Sequence, residues 1–96
     1  MTKLVVASLE VSTSSAKCIL YSSDRGVIAE ATSRYAPDVA DGPTQDPHGV
    51  LECALGVLRR VVHESQALGL RIEALGLTGT WHSLVALDAG RRPLAR

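Results

Sequence analysis

The stretch Leu4 to Leu20, LVVASLEVSTSSAKCIL, constrains the fold more than any other, because two apolar runs flank a short loop built almost wholly of hydroxyl side chains. Leu4, Val5, Val6, Ala7 and Leu9 form the first run, and Cys18, Ile19 and Leu20 form the second. Both fall far short of the roughly 20 residues that cross a bilayer, and both suit buried strands. Ser12, Thr13, Ser14 and Ser15 lie between them, with Glu10 just before and Lys17 just after. Backbone N–H groups, hydroxyls, one carboxylate and one lysine at the mouth of a sheet are parts that can hold a phosphate chain and its metal. The same residues also make a plain hairpin whose polar turn faces water, and taken alone they leave both readings open.

A chain of 96 residues allows one domain at most, and a hydrophobic share of 46% makes it globular rather than disordered. Its core must be thin, since there is no Phe, one Trp and two Tyr. Ten acidic and ten basic residues balance, which argues against a nucleic-acid or membrane partner. The start, MTK, runs straight into a strand without a signal-peptide pattern, so a cytoplasmic location is expected. Cys18 and Cys53 fall in a strand and a helix with no CxxC spacing, and are read as small buried thiols rather than a disulfide or metal site.

Further along, Asp24-Arg25-Gly26 is a turn signal, and Val27, Ala29, Ala31, Ser33 and Tyr35 alternate with Ile28, Glu30, Thr32 and Arg34 as a strand would. The first 36 residues thus read as a meander of three strands. Ala36 to Gln45, with two prolines, two aspartates and a glycine, reads as a surface loop. Asp46-Pro47 is a strong helix start, since the Asp side chain accepts from free first-turn N–H groups and Pro loses no hydrogen bond there. Val50, Leu51, Ala54, Leu55, Val57, Leu58, Val61 and Val62 recur at three and four residues, the stripe of an amphipathic helix, and Gly69 follows as its stop. Ile72 to Thr78 reads as a strand, Leu84 to Leu87 as a shorter one, and Asp88-Ala89-Gly90-Arg91 as a turn. The order is β-β-β-α-β-β, an α/β mixed sheet with its helix on one side, in which the crossover through the helix makes a parallel strand. The ending Pro93-Leu94-Ala95-Arg96 is neither a helix end nor a polar tail, so the chain is expected to be a fragment of a longer protein.

Taken in order, Leu9-Glu10-Val11-Ser12-Thr13-Ser14-Ser15-Ala16-Lys17, Asp24-Arg25-Gly26, Gln45-Asp46-Pro47 and Leu75-Gly76-Leu77-Thr78-Gly79-Thr80-Trp81-His82-Ser83 with Leu87-Asp88 resemble the amino-terminal part of the FGGY carbohydrate kinases. The resemblance spans nearly all 96 residues, and the Trp81-His82-Ser83 segment and the chain's ending sit nearest the gluconate kinases, then the xylulose kinases. It implies the ribonuclease-H-like fold shared with actin and hexokinase. It also implies transfer of the γ-phosphoryl group of ATP, with Mg2+, to a sugar or sugar-acid hydroxyl. By that resemblance Glu10 would sit near the magnesium, Ser12 stands at the loop's glycine position, Thr13 and Ser14 would bond the phosphates, and Lys17 would offset their charge. Trp81 and His82 would line the sugar cleft, though on their own they read equally as a core tryptophan and a satisfied histidine. The sequence departs from the family in having Glu10 for Asp, which extends the carboxylate by about 1.5 Å, and Ser12 for Gly, which places a Cβ near the phosphates.

The family's catalytic base is a downstream Asp, and its adenine site and second phosphate loop lie in a second domain. No catalytic residue is therefore expected among these 96, and the piece alone should lack kinase activity. Its uncovered sheet should make it self-associate. The rival functions are a non-catalytic actin-like nucleotide-binding module and an acyl phosphotransferase of the acetate kinase type.

Overall fold

Apolar residues at every second position bury one face of each of the first two strands, β1 (Val5–Val11) and β2 (Ser15–Ser22). Val5, Ala7 and Leu9 are buried on β1, and Ala16, Cys18 and Leu20 on β2. The computed structural model describes residues 4–41, 44–79 and 87–93. β1 and β2 pair antiparallel, and β2 pairs antiparallel with β3 (Gly26–Arg34), completing the expected meander. The turn into β3 needs Gly26, whose φ of +77° favours a residue without a Cβ. The register shifts between Leu20 and Tyr21, and half-buried Ile28 packs against the core near this irregularity.

The connection after β3 differs from the irregular loop the sequence leads one to expect. It holds a small ladder of β4 (Ala40–Asp41) and β5 (Thr44–Gln45). Prolines and aspartates mask this pairing, since two bonded residues per strand are too few to show a period-2 pattern.

Helix α1 (Pro47–Ala67) starts and stops where the sequence puts its signals. The Asp46 carboxylate accepts from the His48 N–H, Pro47 opens the first turn, and Gly69 follows the Leu68 cap at φ +69°. Ala54, Val57 and Val61 are buried against the sheet, while Leu51, expected in the stripe, is 54% exposed. The expected burial of both thiols holds for Cys18 and not for Cys53, which is half-buried. Ser65 takes a buried place instead, donating its hydroxyl to the Leu70 carbonyl at 2.7 Å. Full burial of Leu20, Val57 and Val61 contributes about 1.5–3 kcal/mol each.

Strand β6 (Ala74–Thr78) returns parallel to β1, giving the four-stranded order β3-β2-β1-β6 among the described residues. It begins two residues later than the apolar pattern proposes, although the Glu73 N–H already bonds the Val5 carbonyl. α1 packs on β2 and β3 and, more lightly, on β1. Leu75 and Leu77 share the helix-side face with Ala7 and Leu9, yet at this edge they stay 44% and 69% exposed. The expected strand at 84–87 lies outside the described residues except for Leu87, which bridges Pro93 around the Asp88 turn. No helix among the described residues is long and apolar enough to cross a membrane.

Candidate functional site

β1 and β2 are joined by three residues, Ser12, Thr13 and Ser14, at the end where β1 and β6 both finish. In open α/β sheets the carboxyl ends of parallel strands are where ligands collect. Gly79 follows β6 beside the end of β1, so close that a Cβ there would stand 4.0 Å from the Val11 carbonyl oxygen. The start of α1 reaches the same end, since Gln45, two residues before the helix, contacts the loop. The hairpin thus lies beside the end of the parallel strand and is tied through Gln45 to the segment that leads into the 21-residue helix.

The hairpin is closed from within by Ser12. Its N–H and its hydroxyl both donate to the Ser15 carbonyl at 2.9 Å, and the two serine hydroxyl oxygens lie 3.4 Å apart. Ser12 keeps a negative φ, because Arg91 is the one non-glycine residue at positive φ among those described. The Cβ at this glycine-like position is therefore held without backbone strain.

Three further bonds reach the loop from outside it. The Tyr35 hydroxyl donates to the Ser12 carbonyl at 2.9 Å, the Gln45 side-chain amide to the Thr13 carbonyl at 2.7 Å, and the Tyr35 N–H to the Ser14 carbonyl at 3.0 Å. All three loop carbonyls are taken. Burial, then nearby Cys53, raises the Tyr35 phenol above its ordinary pKa.

Glu10 and Lys17 stand directly opposite each other across β1 and β2, and Glu10 also faces Thr78 of β6. They project from the sheet face opposite the helix, Glu10 exposed and Lys17 half-buried. Glu10, Ser12, Thr13, Ser14 and Lys17 are accordingly brought together by one hairpin, while Trp81 and His82 lie outside the described residues. Tyr35 and Gln45 were missed as loop-holding groups. Tyr35 reads as the last residue of an alternating strand and Gln45 as a loop residue, and nothing local marks their bonds to residues more than 20 positions away.

No group of three His, Cys, Asp or Glu side chains able to hold a metal occurs among the described residues. One exposed carboxylate beside a hydroxyl loop does suit Mg2+, which takes one or two carboxylates and fills its shell with water and substrate phosphates. His48 and His63 are exposed on α1. A groove of about 640 Å³ runs between β3 and α1, and one of about 480 Å³ lies along α1 toward Leu75, and neither is lined by a loop residue.

The geometry has clear counterparts among solved structures. A gluconate kinase from Lactobacillus acidophilus superposes with a TM-score of 0.79 at 17% identity, over 98% of this chain and 19% of that one. A xylulose kinase from Rhodospirillum rubrum gives 0.80 at 24% identity, over 94% and 19%. This chain has the fold found in those sugar kinases. It spans about a fifth of their length. The Ppx/GppA enzyme of Aquifex aeolicus matches less well, with a TM-score of 0.56 at 14% identity over 83% of this chain and 27% of that one. No model of a protein family matches the sequence, and no curated protein matches it.

Proposed function

We propose that this chain is the amino-terminal part of the first domain of an FGGY-type sugar kinase, which phosphorylates a sugar or sugar-acid hydroxyl of the gluconate or xylulose kind with ATP and Mg2+. The observation that carries the reading is the hydroxyl hairpin at the shared end of β1 and β6, in a fold that two sugar kinases match over more than nine-tenths of this chain.

Phosphoryl transfer is mostly positioning and the stabilisation of charge spread over phosphoryl oxygens. In this reading the Thr13 and Ser14 amides and hydroxyls bind phosphate oxygens, and Ser12 keeps the hairpin closed beneath them. Lys17 offsets their charge, and Glu10 helps hold the magnesium. The ion, when bound, neutralises part of the developing charge. Trp81 and His82 would face the acceptor. The base that takes the acceptor's proton would be an Asp further along the parent, which would act in the cytoplasm.

The decisive experiment measures ADP release by the full-length parent with gluconate, xylulose, glycerol and acetate as acceptors. Release dependent on a sugar or sugar acid is expected, and release with acetate alone would overturn the reading. The 96-residue chain by itself should release no ADP. Leu75 and Leu77, exposed on β6, which is an edge strand of the sheet among the described residues, should make it self-associate. A strictly monomeric sedimentation profile would contradict that.

A further inference from the structure

A trans peptide is planar, so its C=O and its N–H point in opposite directions, and whatever holds the carbonyl of one residue also aims the amide of the next. No cis peptide occurs among the described residues. The Tyr35 hydroxyl on the Ser12 carbonyl therefore turns the Thr13 N–H away from Tyr35. The Gln45 side chain on the Thr13 carbonyl turns the Ser14 N–H away from Gln45. The loop's internal bonds run from the Ser12 N–H and hydroxyl to the Ser15 carbonyl and hold neither of the two middle peptides directly. Among the described residues the Thr13 and Ser14 N–H groups have no acceptor, while every loop carbonyl has a donor. Two adjacent amides in a turn that are left without an acceptor are donors of the kind that receive anionic oxygens.

We infer that Tyr35 and Gln45 are positioning residues that preset the Thr13 and Ser14 amides for a bound phosphate chain. The inference rests on the phosphate-loop reading above and adds to it the two groups that shape the loop. Tyr35 enters from the end of β3 and Gln45 from β5, so the shape of the loop depends on how the whole meander and the helix start are assembled. Each bond acts on a carbonyl and touches no ligand. Its loss should weaken phosphate binding by releasing a peptide plane, and it should leave the sheet intact.

The test uses the 15N-labelled 96-residue chain with inorganic tripolyphosphate and, separately, MgATP as probes. Gln45→Met removes the donor without adding charge, Tyr35→Phe removes the hydroxyl and keeps the ring and the backbone bond, and Glu30→Gln on β3 serves as a control. Each of the first two should weaken both probes about 3- to 10-fold, the range set by one net hydrogen bond, and the pair together more. Their unliganded Thr13 and Ser14 amide signals should move, with β1–β2 ladder signals close to wild type and the melting temperature lowered by no more than one lost hydrogen bond explains. A purely structural role would lower the melting temperature and spare the affinity. Wild-type binding with both variants equally tight and the two amide signals unmoved would overturn the role of Tyr35 and Gln45 and leave the phosphate loop standing. Failure of the wild-type chain to bind either probe would overturn the phosphate loop itself, and the inference with it.

Discussion

The two three-residue hairpin loops of this sheet are each closed by a serine and differ in how their carbonyls are held. The loop between β2 and β3, at 23–25, is closed mainly by its own neighbours, although Ser23 also bonds distant Leu4, its N–H donating to the Leu4 carbonyl at 2.9 Å and its hydroxyl accepting from the Leu4 N–H at 3.1 Å. The buried Ser22 hydroxyl donates to the Asp24 carboxylate at 2.8 Å and accepts from the Arg25 N–H at 3.1 Å, and Gly26 supplies the positive φ. The loop between β1 and β2, at 12–14, has its carbonyls held by groups 20 or more positions away in the chain. Both loops are tied to distant segments, the loop at 23–25 through Ser23 and the loop at 12–14 through all three of its carbonyls, so the tertiary fold sets the peptide planes of the latter more fully.

The largest effect expected comes from a residue both hairpins share. Leu20→Ala, in the centre of β2 and fully buried, should cost about 2–5 kcal/mol and weaken both loops equally in chemical denaturation. A loss confined to one loop's amide protection would break the comparison. Next, Gly26→Ala should cost about 1–2 kcal/mol, because its φ of +77° disfavours a side chain. It should leave tripolyphosphate affinity at the first loop unchanged in calorimetry, and a parallel loss of affinity would show that the loops are not separable. Ser12→Gly should then cost about 1 kcal/mol through the lost bond to the Ser15 carbonyl, since no backbone strain is relieved in return.

The smallest effect is one of pH. The Tyr35 phenol is raised in the folded chain, by burial first, so the folded state prefers the neutral form. That contribution is fully present below the unfolded value near 10.0 and fades as pH climbs through the folded value. The buried Cys18 thiol, raised by burial from 9.0, acts in the same direction. Melting temperature should therefore drop above about pH 9, and Tyr35→Phe should flatten part of that drop. An unchanged slope in Tyr35→Phe would remove the phenol from the account.

The strands, the helix limits and the parallel crossover could be read from the chain, because each rests on local signals. Period-2 burial marks β1 and β2, and Asp46, Pro47 and Gly69 bound the helix. Glu10, Ser12, Thr13, Ser14 and Lys17 could be grouped because one hairpin carries them all. The β4–β5 ladder, the exposed Leu51 and the buried Ser65 were not legible, since each depends on which surface a neighbouring element leaves open. Tyr35 and Gln45 escaped for the same reason. Hydrogen bonds between distant segments leave no periodic trace in a single sequence.

The most direct test of the phosphate-loop claim is an amide-resolved titration of the chain with MgATP, comparing the two hairpins in one sample. The account predicts saturable shifts centred on Thr13 and Ser14, with Asp24 and Arg25 unmoved. Shifts centred on Asp24 and Arg25, or none at either loop, would contradict it.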